Sequence, residues 1–253
     1  MIAVLGMYDP PALRGANDRF WQGIRDQLGF GPETLTRDMD FTRAWQSPDL
    51  LFSQTCGMPF RTLLHPDVTL IGTPDYGLEG CGPGEYHSVL VVAADNTADA
   101  LADFSGDRFA YNGPMSQSGW AGPMVHLNQA HVQFDELIET GGHGASALAV
   151  AEGRADMAGL DVLTWELLCE HDPGLTARLR VIDTTTPTPT LPYITAAGRD
   201  PAPIAAAVRA AIDALSVADR KALHLNALVD ISAADYLAVP TPPGPQQADN
   251  SEV

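Results

Sequence analysis

The chain has 253 residues, 45% of them hydrophobic, so it is long enough to bury one sizeable core or two smaller ones. Its formal net charge is −18 with a pI near 4.4, and only 14 Lys and Arg are spread along it, which sets aside nucleic acid as a partner. No apolar run has the length of a bilayer span, so no membrane insertion is expected, and Gly 23 and Pro 20 without periodicity argue against a fibrous chain.

The N-terminus, MIAVLGMYDPP, has no basic region and no long apolar stretch, so it does not read as a signal peptide. A removed leader and a cytoplasmic protein are both consistent with it. Ile2–Leu5 reads as a buried strand ending at Gly6-Met7-Tyr8. Asn17 is placed to cap a helix carrying Phe20, Ile24 and Leu28, with Gly29 as its stop. Asp49–Ser53 is a second strand, followed by the loop Gln54-Thr55-Cys56-Gly57 and a short helix through Phe60 and Leu64. Val68–Thr73 is a third strand, a Gly-rich loop covers Pro74–His87, and Ser88–Ala94 is a strong strand.

Thr97–Gly106 reads as a helix with a glycine stop, leading to a strand through Arg108–Tyr111. A helix is expected from Gly119 to about Leu127 with Pro123 in its first turns, and another from His143 to about Glu152. Asp156–Leu160 is a strand, Asp161 precedes a helix through Trp165 and Leu168, with Trp165 in the core, and Arg178–Asp183 is a strand. The Thr/Pro-rich run Thr184–Gly198 suits a stiff, extended connector. Asp200-Pro201 opens a helix carrying Ile204, Val208, Ile212 and Leu215. Ser216 and Ser232, each followed three residues later by Asp, cap two more. The tail from Pro240 reads as disordered. The alternation implies an α/β protein with mainly parallel strands.

Three loops share one design of strand, small polar residues, then helix: Gln54–Gly57, Ser116-Gln117-Ser118-Gly119, and Gly141–Ser146 around His143. The first amides of a helix lack acceptors and sit at the positive end of its dipole, so an oxyanion can satisfy them. For any one loop a plain cap is the better explanation. Three in one chain favour a ligand, because parallel strand ends converge. His143 could donate to a ligand oxygen and Asp161 could accept from its other end, while Tyr8 and Tyr86 are rim candidates. No nucleophile elbow, phosphate-binding P-loop or dinucleotide fingerprint is present, so no catalytic residue is assigned. Cys56 with His143 can be drawn as nucleophile and base, with nothing local to support it. Cys56, Cys81 and Cys169 form no CxxC and the His residues no HExxH, so no metal site is expected.

The stretches Asp107–Trp120 (DRFAYNGPMSQSGW), Thr140–Leu168 (TGGHGASALAVAEGRADMAGLDVLTWELL) and Leu191–Pro201 (LPYITAAGRDP) resemble the phosphate/phosphonate-type solute-binding proteins of bacterial ABC importers. The resemblance runs from about Tyr86 to Pro201 and implies a two-lobe type II periplasmic-binding fold with two interlobe crossovers. One lobe would hold residues 1–91 and 194–253 and the other 92–193, hinged near Val91–Ala94 and Pro192–Ile194. It implies capture of a small anionic ligand (phosphonate, phosphate or phosphate ester) by hinge closure, for an ABC permease in the periplasm, by a monomer without cofactor. By this likeness Ser116, Ser118 and Gly119 hold the oxyanion, His143 adds a donor, and Asp161 faces the ligand's other end. Gln117, where the family often has Thr, reshapes the pocket, and Tyr8 and Tyr86 line the first lobe; Thr55 and Cys56 are ligand candidates from their own loop, in a stretch, Ser53–Phe60, that departs from the family's pattern. The same fold also serves cytoplasmic enzymes of cofactor biosynthesis and ligand-sensing modules, which a chain without a leader would suit.

Overall fold

The computed structural model describes residues 1–245. In chain order its strands are β1 (Ile2–Val4), β2 (Leu50–Gln54), β3 (Val68–Asp75), β4 (Glu85–Tyr86), β5 (Ser88–Ala93), β6 (Arg108–Tyr111), β7 (Glu136–Glu139), β8 (Met157–Asp161), β9 (Leu179–Thr184), β10 (Thr188–Pro189), β11 (Tyr193–Ala196) and β12 (Ala227–Val229). Its helices are α1 (Arg14–Leu28), α2 (Phe41–Trp45), α3 (Gly57–Pro59), α4 (Gly122–Gln129), α5 (His143–Ala151), α6 (Val162–His171), α7 (Pro173–Thr176), α8 (Ala202–Asp213), α9 (Val217–Leu223) and α10 (Ala233–Leu237). Wider π-helical turns, Phe60–Leu64 and Gln117–Ala121, adjoin α3 and α4.

The chain divides into two units, Met1–Tyr86 with Thr188–Val239, and His87–Pro187 with the chain from Pro240. The crossings thus fall before the positions expected from sequence. β5 pairs along its length with β8 and β9, so all of it belongs to the second unit. Of the expected disordered tail, residues 246–253 lie outside the described residues, while the Pro243 carbonyl accepts a hydrogen bond from Trp120 Nε1 at 3.1 Å.

The first unit is built on a sheet in the order β1-β2-β11-β3-β12. β1 and β2 are parallel, joined through α1, whereas β11 and β12 return from late in the chain and run antiparallel to their neighbours. The sheet is therefore mixed rather than mainly parallel. The expected connector Thr184–Gly198 instead supplies β10 and the central strand β11, whose residues are all buried. Apolar Phe20, Trp21 and Ile24 bury one face of α1, and Gly29 closes it in the left-handed conformation. Asn17 does not cap this helix: it lies inside it, with Nδ2 donating to the Tyr8 carbonyl and to Asp9 Oδ1. On another part of the unit, Trp45, Leu50, Phe60, Leu64, Ile194 and Tyr236 form one buried cluster.

The second unit's sheet runs β7-β6-β8-β5-β9, with β6 parallel to β7 and β8, and β5 antiparallel to β8 and β9. Val89–Val92 and Met157–Leu160 are buried along their whole lengths, as the continuous apolar runs required. The expected helix over Thr97–Gly106 shrinks to a single turn, Leu101–Phe104. Asn96 Oδ1 takes the Ala98 amide, and the Arg180 guanidinium takes the Asn96 and Ala98 carbonyls, so these backbone groups are spent before a helix can use them. Trp165, expected in the core, is half-buried.

Candidate ligand-binding site

Because β6, β7 and β8 are parallel neighbours, their carboxyl ends open on one edge of the second unit's sheet. After β6 the chain turns through Asn112 to Ser116, whose hydroxyl accepts the Gly119 amide at 3.0 Å. Ser116, Gln117 and Ser118 are all buried. Gly119 is needed for a close approach rather than for its dihedrals: a Cβ there would stand 1.9 Å from Asn112 Oδ1. Gln117 turns its amide back toward Gly122, where a Cβ would stand 3.5 Å from Gln117 Nε2 and 3.4 Å from Ser88 Oγ.

After β7, the Thr140 hydroxyl and the Ser146 hydroxyl meet at 2.6 Å, so Ser146 is turned inward and fully buried. That leaves His143, the first residue of α5, as the polar side chain this loop directs at its neighbour. Its Nε2 lies 3.1 Å from Ser118 Oγ and 3.4 Å from Asn112 Nδ2. The residue keeps some surface but Nδ1 is enclosed. Burial lowers the imidazole's pKa to about 4, opposed in part by the Gly159 carbonyl, so the ring is neutral at physiological pH.

Asp161, at the end of β8, is buried, caps α6 by accepting the Thr164 amide at 3.0 Å, and lies across the sheet from Ser88. His87, which precedes β5, has its pKa pushed down by burial, an effect opposed by the Asp161 and Glu166 carboxylates. The edge thus carries hydroxyl and amide groups at one end and a carboxylate–imidazole group at the other.

In the first unit, the carboxyl ends of β1, β2 and β3 share an edge with the start of β11. Tyr8 follows β1 and meets Tyr76 edge-on at 5.6 Å. Gln54 Nε2 donates to Tyr76 Oη at 2.8 Å and to the Leu191 carbonyl at 3.1 Å. Thr55 is fully buried and its amide donates to the Pro192 carbonyl, while the half-buried Cys56 precedes α3 with no capping bond from its side chain. Tyr86 is buried, on β4 opposite Thr188.

Sequence reasoning passed over several residues of these edges. Arg61 is half-buried close to two of the expected positions: burial lowers its pKa, and the Cys56 thiol and Tyr86 hydroxyl oppose that. Tyr76 and Tyr193 form a buried hydroxyl pair, with the Tyr193 pKa pushed well up by burial. Asn112 was hidden in an ordinary-looking Asn-Gly-Pro turn. Among the described residues, no group of three or more His, Cys, Asp or Glu could hold a metal, and no helix is long and apolar enough to cross a membrane.

Two α/β units, each with ligand-competent groups at its strand ends, define a two-lobe substrate-binding protein, and comparison with known proteins agrees. The profile of the family described as the periplasmic substrate-binding protein of the phosphonate ABC transporter matches residues 57–236, and the chain belongs to that family. The fold is shared with PhnD1 of Prochlorococcus marinus in complex with methylphosphonate (TM-score 0.73, 18% identity, 93% of this chain and 94% of that one). A binding-protein component of a Pseudomonas aeruginosa ABC phosphonate transporter is similar (0.71, 17%, 93% and 83%). So is a Xanthomonas citri protein bound to chloride (0.67, 16%, 92% and 93%). No protein of curated function matches. The family is periplasmic, and its members serve transporters as substrate-binding components rather than as enzymes.

Proposed function

We propose that this protein reversibly captures a small oxyanion, a phosphonate, phosphate or phosphate ester, in the periplasm as a monomer and delivers it to an ABC permease. The observation that carries this reading is the meeting of Ser118 with the neutral His143 beside the turn capped by Ser116. Hydroxyls and amides already in place can grip an oxyanion without a full positive charge, which suits a chain whose charge is −18. In this reading Ser116, Ser118 and His143 hold the oxyanion, Gly119, whose amide is taken by the Ser116 hydroxyl, leaves it room to approach, and Gln117 shapes the floor. Asp161 receives the ligand's other end, and Tyr8, Thr55, Cys56 and Tyr86 contribute from the first unit. The methylphosphonate held by the Prochlorococcus relative supports phosphonates as the first class to try.

A thermal-shift screen over methylphosphonate, phosphate, a phosphate monoester, methylsulfonate and a carboxylate tests it. A ligand at one hundred times its Kd stabilises the protein by about 2.7 kcal/mol. Stabilisation by phosphonate or phosphate is expected. Stabilisation by none of these anions, with a neutral ligand effective instead, would overturn the reading.

A further inference from the structure

Gln54, at the end of β2 in the first unit, is a buried side chain whose amide nitrogen serves two acceptors. Its Nε2 lies 3.1 Å from the Leu191 carbonyl and 2.8 Å from Tyr76 Oη. A backbone carbonyl only accepts, so the Leu191 contact by itself fixes which end of the amide is the nitrogen. An amide nitrogen only donates, so its second hydrogen goes to Tyr76, and the Tyr76 hydroxyl is the acceptor of that pair. A phenol oxygen that has taken a hydrogen from Gln54 still has its own to give, and gives it in another direction. The Tyr193 hydroxyl stands beside the same oxygen, in a contact that favours the protonated, donating form of Tyr193. Whatever else Tyr76 meets at this edge must therefore accept its hydrogen.

The surrounding chain holds Tyr76 in place. It directly follows β3, and Asp75 Oδ1 takes the amides of Gly77 at 3.1 Å and Gly84 at 3.2 Å, which ties the two ends of the Gly-rich loop together. Gly77 turns the chain away with a φ of 62°, where a side chain would be strained. Tyr8 packs edge-on against the Tyr76 ring. An apolar pair would fill this space without burying an amide, which costs free energy unless its hydrogens are used.

We propose that Tyr76 is a ligand-contacting residue, a hydrogen donor from the first unit to the captured oxyanion, and that Gln54 is the positioning residue that aims it. This deepens the oxyanion reading given above and rests on it. Because Gln54 occupies the accepting side of the phenol, Tyr76 favours an ionised ligand oxygen over a hydroxyl that has to donate. Gln54 itself does not touch the ligand; it decides which way the Tyr76 hydrogen points.

The test is a cycle of four full-length proteins, wild type, Tyr76→Phe, Gln54→Met and the double variant, titrated calorimetrically with methylphosphonate and with phosphate. Tyr76→Phe keeps the ring and is expected to weaken binding roughly ten- to a hundredfold, the span for a lost hydrogen bond to a charged group. Gln54→Met keeps the length of the side chain without its donor. It should weaken binding about fivefold in the wild-type background and add almost nothing once residue 76 is Phe. Unchanged affinity in Tyr76→Phe would overturn the proposal, and equal losses from Gln54→Met in both backgrounds would overturn the positioning role. A second readout uses wild type alone, so it stands even where a variant fails to fold. The 13C resonance of Tyr76 Cζ should move toward the phenolate position when methylphosphonate is added; a resonance that stays in place also overturns the contact. A wild type that binds neither anion would remove the oxyanion reading itself and the proposal with it, a result distinct from these failures.

Discussion

Ser118 and His143 stand 25 positions apart in the chain, yet Oγ and Nε2 are 3.1 Å apart. Their meeting follows from sheet register: Tyr111 ends β6 beside Glu139 at the end of β7, and the Thr140 amide donates to the Tyr111 carbonyl at 2.9 Å. The two following turns therefore begin side by side, and each presents one polar group to the other.

Removing the Ser118 hydroxyl should weaken methylphosphonate binding by roughly ten- to a hundredfold, the span expected for a lost hydrogen bond to a charged group. The fold should survive, because the hydroxyl supports no helix cap; Ser116 does that. Calorimetry with circular dichroism on Ser118→Ala separates the two effects. Unchanged affinity would contradict the oxyanion role.

His143 makes stability depend on pH in a known direction. Its folded pKa is about 4 against an ordinary 6.5, so between these values the unfolded chain binds a proton that the folded one refuses. The neutral ring costs nothing above pH 6.5. Stability is lost as pH falls from 6.5 toward 4, by at most roughly 3 kcal/mol from this group. Denaturant unfolding at pH 7 and pH 4.5 should show a smaller acid loss in His143→Gln than in wild type.

Gly159, in the middle of β8, touches the ring of Pro123: an added Cβ would lie 2.4 Å from Pro123 Cγ and 3.3 Å from the Ser118 carbonyl. Proline cannot yield without moving the start of α4, so Gly159→Ala should destabilise by about 1–3 kcal/mol. The same shift displaces Ser118. Reduced melting temperature together with weakened binding is expected, and wild-type values for both would show that the sheet absorbs the methyl group.

Tyr236 Oη is buried in the first unit, donating to the Thr190 carbonyl at 2.7 Å and lying 2.8 Å from Thr73 Oγ1. Tyr236→Phe keeps the ring against Phe60 and strands one buried acceptor, the Thr190 carbonyl, and one buried donor, the Thr73 hydroxyl, at about 1–3 kcal/mol. The loss should appear in denaturant midpoint.

How far the sequence revealed all this depended on how local each signal was. β5, β6, β8, α5 and α6 were legible because each has its own apolar run or cap. Asp161 was readable both as a strand end and as an N-cap, and it is both. β11 was not, since a Thr/Pro-rich stretch carries the composition of a connector and only its late pairing with β2 and β3 makes it a strand. The mixed sheets share that cause. At the site, serines before a helix were visible, but the inward turn of Ser146 was not, because it depends on Thr140. Nothing local marks Asn112 or Arg61, whose partners come from other turns or strands.

The place of β11 between β2 and β3 has a consequence for how the molecule is made. The second unit's strands, β5 to β9, lie in one uninterrupted stretch and can pair as soon as that stretch has left the ribosome. The first unit must wait with a gap at the middle of its sheet, β2 and β3 each lacking a neighbour, until residues 193–196 have been synthesised. The half begun first is completed last, and during that interval its apolar strand edges are what a chaperone would meet.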